Sequence, residues 1–558
     1  MIQGQVNIPR RDPRVVMRLK RLGSLHQSRL SFMRILLRRM AAEGWQVTRP
    51  IFDIGANGVG RAVYQATGPE RAYSLVCFAR DLPADLRSDR VIAEAWDATF
   101  TLFDGIPTEA DLHRLQANVP LQEAGRVSET ELSLSRANRS VRLWVHVIDA
   151  LAEGQQPDPA EIDKVGYLMR TTAVYGSGKF GAADREVIAD RPEMQAPFQA
   201  EMLSVYLIRT FVRDLAEHMA QAKGRDRAVR LDPALARRLG IGNSTGLGMA
   251  PFIINHPVLF NNWIMCREEA LARVRAVEAP TAAQVKVFKT LLQKAGKSVA
   301  GWQSQHPIQV KKLAELRADL DMLATHLSTA DLSAPFLWDA LVAWSEDALS
   351  EEGQEVLASL LLEPYPDLVD GLAECLADPV AESLPLDGAM TVAQLRAILE
   401  DVYDWALPLD WSDAGTCARA WYVSAEKLEP RLGERFEEPA EAYEQPLAPA
   451  RAACALHAVL RDWPNDTPIS DVLMAHPVHR TAVRRAQFTR FAPYAEIRDN
   501  TIAAEMKPID MLRAKLSFFG ATRFDPRSDR WVRIAMYQGA PYPEDLSPET
   551  ADLWVYDA

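Results

Sequence analysis

Two glycine-rich runs limit what this chain can fold into more than any other feature. They are YGSGKFG at residues 175–181 and GIGNSTGLGMAP at residues 240–251, and each stands between stretches whose pattern predicts helix. A glycine inside a helix costs about 1 kcal/mol relative to alanine. Clustered glycines therefore indicate backbone that turns sharply or approaches another group closely, and a ligand is a natural candidate for that group.

Length and charge exclude several classes of protein. The chain has 558 residues, which predicts three or four domains. Hydrophobic residues at 48% and charged residues at 25% are typical of a folded globular protein. The net charge of −12 argues against a nucleic-acid partner, because phosphate backbones need a basic surface. A small anionic molecule remains a candidate partner, since a pocket needs only local positive charge.

The cysteines and the hydropathy pattern predict a cytoplasmic protein. The five cysteines are far apart and form no CxxC pair, so neither a disulfide framework nor a zinc ribbon is indicated. The first residues lack the apolar stretch of a signal peptide, and no run of about 18 apolar residues occurs. Homo-oligomerisation stays open.

Residues 13–42 predict a basic amphipathic helix with a break at Gly23. Because the rest of the chain is acidic, we expect this segment to dock on acidic parts of the protein. Attachment to a membrane surface is the less favoured interpretation.

The fold class predicted is mainly α: a helical-bundle core with a small N-terminal α+β domain and a short mixed C-terminal domain. Short segments at 46–52, 60–67 and 72–79, separated by turn residues, predict an antiparallel meander, and a further strand is expected over 90–103. Helices are predicted at 129–153, 159–174, 196–222, 262–277, 282–295 and 307–327. The predicted domains are residues 1–107, the helical core 108–343, an acidic helical region 344–465 and a C-terminal α+β region 466–558.

The first glycine run has the groups of an anion site. Ser177 and Lys179 lie among glycines, so backbone N–H groups at Gly178, a hydroxyl and an ammonium can converge on an anion, and Arg170 precedes them. The spacing is not that of a Walker A loop, and the GxGxxG pattern lacks a βαβ context if residues 165–174 are helical. The alternative is a helix connection in which glycine serves as a C-cap.

The second run adds polar groups and an imidazole. Asn243, Ser244 and Thr245 are predicted to orient a substrate together with Asn255. His256 is a candidate general acid or base, because an unperturbed imidazole titrates near neutral pH. The alternative is that His256 and the glycines are structural.

These observations predict a cytoplasmic enzyme that acts on a small anionic metabolite in a pocket formed by both runs, with cofactor-independent lyase or other proton-transfer chemistry. Two alternatives stay open, a non-enzymatic helical scaffold and a nucleotide- or phosphate-binding protein. No metal site is predicted, and the cofactor stays unassigned. The predicted catalytic residues are Lys179, Tyr175 and His256; the predicted substrate-binding residues are Arg170, Ser177, Gly178, Asn243, Ser244, Thr245 and Asn255.

Overall fold

The fold is known from a computed structural model, which combines one large sheet with many helices. A mainly helical chain with a sheet region is therefore confirmed. The structure describes residues 8–83, 95–118, 130–176, 190–194, 196–246, 257–305, 307–376, 386–412, 448–498, 513, 515–526 and 531–552.

The N-terminal segment forms three helices where the sequence predicts one with a single break. They are α1 (Pro13–Val16), α2 (Leu19–Leu22) and α3 (Phe32–Ala42). Tertiary contacts interrupt the helix, because the backbone of Arg18 pairs with that of Arg498.

Nine strands form a single sheet within the described residues, in the order β1-β2-β3-β4-β5-β6-β7-β9-β8. Neighbouring strands are antiparallel except β6 and β7, which are parallel. The strands are β1 (Gln46–Ile54), β2 (Gly60–Thr67), β3 (Ala72–Ala79), β4 (Ala98–Asp104), β5 (Glu131–Arg139), β6 (Tyr167–Gly176), β7 (Gly240–Gly246), β8 (Arg523–Pro526) and β9 (Trp531–Met536).

The predicted meander is confirmed. Strands β1 to β4 follow one another in antiparallel pairs, and the first three match their predicted bounds closely. The fourth strand begins at Ala98, and residues 90–94 of its predicted range lie outside the described residues.

Two predicted helices are wrong in part. Residues 129–153 contain strand β5 before helix α5 (Val141–Ala152), and residues 159–174 contain helix α6 (Pro159–Val165) before strand β6. Helix α6 ends because Gly166 takes a left-handed conformation with φ of 77°. The Leu-Ser-Leu-Ser alternation at the start of β5 is a period of two, which is the strand signal that the prediction missed.

Helices cover both faces of the sheet. Helix α7 (Gln199–Gly224) packs across strands β2 to β7, and the hydroxyls of Ser133 on β5 and Ser204 on α7 are hydrogen-bonded. Helix α4 (Glu109–Asn118) covers the other face of β2 to β5 through Leu112 and Leu115. Below, these are called the α7 face and the α4 face.

Most of the remaining helices pack beside the sheet and share its main hydrophobic core. A second, smaller core belongs to the helices between residues 392 and 488. The helices that follow α7 are α8 (Pro233–Arg237), α9 (Pro257–Arg275), α10 (Ala282–Gly301), α11 (Pro307–Thr329), α12 (Leu337–Ala348), α13 (Glu351–Leu362), α14 (Pro366–Val369), α15 (Val392–Val402), α16 (Ala448–Leu460), α17 (Ile469–Ala475) and α18 (Arg480–Phe488).

Buried ion pairs dock the N-terminal segment on the helices, as predicted from its charge. Glu355 on α13 is fully buried and pairs with Arg11 at 2.9 Å, Arg21 at 2.8 Å and Arg267 at 2.7 Å. Arg11 also donates twice to Glu268, at 2.7 Å each. Because burial of a carboxylate without partners is very costly, these arginines determine where the segment lies.

A second group of ion pairs holds α3 and the turn before it. Arg29 donates to Asp370 at 2.6 Å and to Asp552 at 2.8 Å. Arg34 is completely buried and donates to both oxygens of Glu363, at 2.5 and 2.7 Å. The basic face of the segment is therefore neutralised inside the protein.

The single sheet takes strands from the first, second and fourth of the predicted domains. The domain boundaries at 107, 343 and 465 stay a prediction.

Candidate functional site

The two glycine-rich runs begin on neighbouring strands. Residues 175–176 end β6, so the prediction that helix precedes the first run is wrong, whereas the second run, whose residues 240–246 form β7, does lie between helices α8 and α9. In the parallel pairing Arg170 stands beside Gly242 and Thr171 beside Asn243. The carboxyl ends of the two strands therefore lie at the same edge of the sheet. Ligands in sheets with parallel strands commonly bind at such an edge.

Several predicted site residues lie outside the described residues: Ser177, Gly178, Lys179, Asn255 and His256. Tyr175, Ser244 and Thr245 are placed by their backbone register alone, opposite Leu134, Arg533 and Val532 respectively. Arg170 and Asn243 are described in full, and both are buried.

Close packing between strands explains why two positions of the second run are glycine. A Cβ at Gly240 would lie 2.4 Å from the carbonyl oxygen of Met536, and a Cβ at Gly242 would lie 2.7 Å from the ring of Tyr167. Real Cβ atoms do not approach other atoms so closely. These glycines therefore allow β7 to fit between β6 and β9. Their role is structural, whereas the sequence analysis favoured contact with a ligand.

Strand alternation puts three arginines on the α4 face of the sheet. Arg170 pairs with Asn138 on β5 and with Gly242 on β7, so Arg136, two residues from Asn138, shares its face. Gly242 in turn pairs with Ala535 on β9, so Arg533 shares the face as well. We call Arg136, Arg170 and Arg533 the arginine triad.

Small residues separate the members of the arginine triad. Ala173 stands opposite Arg136, and Ser244 stands opposite Arg533. Both positions are closer than Arg170 to the carboxyl ends of β6 and β7. Neighbouring strands are about 4.8 Å apart, so β6 and β9, with β7 between them, are about 10 Å apart. The triad thus lies on one face of the sheet, where the ring of Tyr167 packs over Gly242.

Arg136 packs against an aromatic ring, and the register of the sheet gives the residue beside Arg533. The guanidinium of Arg136 lies over the ring of Trp96, 5.5 Å from its centroid. Asp525 on β8 stands opposite Arg533. Arg523, also on β8, shares the face and donates to the Asp163 carbonyl at 2.6 Å.

The side chain of Asn243 projects from the face of the sheet opposite to that of Arg170. It pairs with Ile534, which belongs to the main core, and its Nδ2 donates to Thr171 Oγ1 at 3.0 Å. Thr171 Oγ1 donates in turn to the Gly242 carbonyl at 3.2 Å. These bonds tie β6 to β7 on the α7 face, and the site considered below does not use Asn243.

Sequence reasoning named Arg170 but missed Arg136 and Arg533. The period of two in β5 could have assigned Arg136 to one face of a strand. Nothing local to Arg533 could have placed it beside Arg170, because the two are joined only through the pairing of β6, β7 and β9.

Comparison with known proteins found no family model, no curated protein and no solved structure that matches the chain. Among the described helices, none is both long enough and apolar enough to cross a membrane. In the same part of the chain, no three or more His, Cys, Asp or Glu side chains are grouped to hold a metal ion.

Proposed function

We propose that this protein binds a small anion on the α4 face of the sheet, over the middle of β6 and β7, with the arginine triad as the source of positive charge. The observation that carries the proposal is the pairing that aligns Arg136, Arg170 and Arg533 on one face. An acidic chain that gathers arginines at one place concentrates positive potential there.

The chemistry of the guanidinium group favours carboxylates and phosphates as ligands. Each guanidinium presents a planar fork of N–H donors that fits two oxygens at once. Ala173 and Ser244, which the register places opposite Arg136 and Arg533, are small residues, and the ring of Tyr167 packs over Gly242. Ser177 and Lys179 follow directly in the chain after the end of β6.

The proposal includes turnover by proton transfer without a redox cofactor, in a cytoplasmic protein. Tyr175, Lys179 and His256 are the proposed proton carriers. An ammonium or arginine beside a carboxylate substrate stabilises the negative charge that develops when a neighbouring C–H proton is removed. Elimination from a small carboxylic or phosphorylated acid is the reaction class that follows.

Isothermal titration calorimetry with inorganic phosphate and with succinate tests the proposal. We expect Arg170→Gln and Arg533→Gln to weaken binding of the preferred probe at least about tenfold, since a charge-assisted hydrogen bond contributes roughly 1.5–3 kcal/mol. Lys179→Ala is expected to have the same effect. The matched control is Arg142→Gln, which removes an exposed arginine of α5 and is expected to leave binding unchanged.

Circular dichroism and the melting temperature establish that each variant is folded. Because Arg170 is buried and its replacement can destabilise the sheet, the half-buried Arg533 provides the independent variant. Failure of the wild-type protein to bind either probe would overturn the proposal, as would wild-type affinity in a folded Arg533→Gln protein.

A further inference from the structure

A cleft of about 1240 Å³ lies at the opposite end of the sheet from the arginine triad, beside the edge strand β1. Its walls are β1, the carboxyl-terminal half of α7, residues 229–233 and residues 542–546. A cleft of this size can hold a small organic ligand. None of its lining residues belongs to the site proposed above.

Asp214 lines the cleft, and its charge is balanced by neighbouring arginines. Asp214 accepts hydrogen bonds from Tyr64 Oη and from Arg49 Nη1 on one oxygen, both at 2.8 Å. Arg213 donates to its other oxygen at 3.1 Å. Asp214 is therefore paired with two arginines and contributes structure rather than a free binding group.

Glu217, one helical turn further along α7, has a different environment. It is half-buried and accepts a hydrogen bond from the Leu231 N–H at 3.1 Å. Among the residues that the structure describes, no Lys, Arg or His nitrogen lies within 4.0 Å of its carboxylate, although it lines the cleft. Burial raises the pKa of Glu217, and the hydrogen bond from Leu231 and the more distant charges of Arg213 and Arg230 oppose that shift.

The remaining carboxylates of the cleft are used by the fold. Asp232 accepts from two backbone N–H groups at the start of α8, Glu544 pairs with Arg213, and Asp545 lies 3.8 Å from Arg237. Counted over the lining residues, five carboxylates face three arginines. The cleft therefore has an excess of negative charge, and Glu217 is its carboxylate without an ion-pair partner in the described part of the chain.

We infer that this cleft binds a ligand carrying a primary amine or guanidinium group, with Glu217 as its ion-pair partner. A half-buried carboxylate gains most from a cation that replaces its lost hydration. Gln221, one turn beyond Glu217, also lines the cleft and donates through Nε2 to the Arg225 carbonyl, which leaves its Oε1 as an acceptor for a ligand N–H.

Agmatine is a suitable probe, because it carries both an amine and a guanidinium group. Isothermal titration calorimetry on the full chain is expected to show binding that Glu217→Gln weakens about tenfold or more, as expected for the loss of a charge-assisted hydrogen bond. Glutamine keeps the shape and the acceptor for Leu231 N–H. The control Glu278→Gln removes an exposed carboxylate outside the cleft and is expected to bind agmatine like the wild type.

Hydrogen exchange gives a second measurement that needs no variant. Agmatine is expected to slow amide exchange in residues 213–221 and 229–233 of the wild-type protein, whereas succinate is not. Absence of agmatine binding to the wild type would overturn the inference. So would equal affinity in a folded Glu217→Gln protein, or protection confined to residues away from the cleft.

Discussion

At the scale of single residues, glycine is required by the fold at some positions of this chain and weakens a helix at another. Gly240 and Gly242 are glycines because neighbouring strands occupy the space of a side chain. A Cβ added at Gly296, inside α10, would meet nothing within 4 Å, so this glycine is at an ordinary helical position. The structure therefore separates glycines that the fold requires from one that weakens it.

Gly240→Ala is expected to destabilise the protein by about 1–3 kcal/mol, the usual cost of overpacking. The added Cβ would meet the Met536 carbonyl at 2.4 Å, and a backbone group within the sheet cannot move away as a side chain can. Chemical denaturation measures the change in the free energy of unfolding.

Gly296→Ala is the matched control and is expected to stabilise the protein by up to about 1 kcal/mol, because alanine favours the helix. If Gly240→Ala proved as stable as the wild type, the tight pairing of β7 with β9 would be wrong.

At the scale of elements, the N-terminal segment depends on α13 for its position. Arg11, Arg21 and Arg267 all contact the buried carboxylate of Glu355. Burial alone would raise the pKa of Glu355, but these three arginines outweigh it and hold the pKa well below its usual range. The segment is thus anchored by a group that stays ionised.

Glu355→Gln is expected to destabilise the protein by about 3–5 kcal/mol, because three arginines would remain buried around a neutral side chain. Urea denaturation followed by circular dichroism measures the loss. As a comparison, Glu161→Gln breaks an exposed contact with Lys164 and is expected to cost less than about 1 kcal/mol. Similar losses in the two variants would show that the buried network contributes little.

Elements also differ in how far the sequence predicts them. Strands β1 to β3 were predicted because alternation and turn residues are local signals. Helix α10 begins at a capping box formed by Thr281 and Gln284, again a local signal. Strand β6 was missed because residues 159–165 carry the local signals that begin a helix. That helix ends at Gly166, where the chain enters the sheet as β6.

At the scale of the whole molecule, buried acids make stability depend on pH. Glu352 on α13 accepts hydrogen bonds from His26 Nε2 and Arg513 Nη1, both at 2.8 Å. Burial alone would raise the pKa of Glu352, but the charge of Arg513 and the bond from His26 outweigh it and lower the pKa to about 2. The Glu352 carboxylate therefore links α13 to the N-terminal segment through His26 and to residue 513.

Stability is therefore expected to fall as the pH drops from about 5 towards 2. A glutamate in the unfolded chain titrates near pH 4.3, so an acid whose folded pKa is lower stabilises the protein above that value and loses the contribution as it becomes protonated. The urea midpoint between pH 7 and pH 3 measures this effect. Glu352→Gln is expected to give a shallower pH dependence, and an unchanged slope would contradict the assignment to Glu352.

The sequence by itself determined the mainly helical composition, the first meander and the internal docking of the basic segment, because periodicity, turn chemistry and charge balance are carried by neighbouring residues. It also singled out Arg170 and the two glycine runs. Only the tertiary structure decided that residues 240–246 form strand β7. A side chain at Gly240 or Gly242 would collide with Met536 or Tyr167, and these contacts arise only when the sheet is assembled. The arginine triad has the same origin: strands far apart in sequence share a face only through the register of a sheet, and no local pattern records that register.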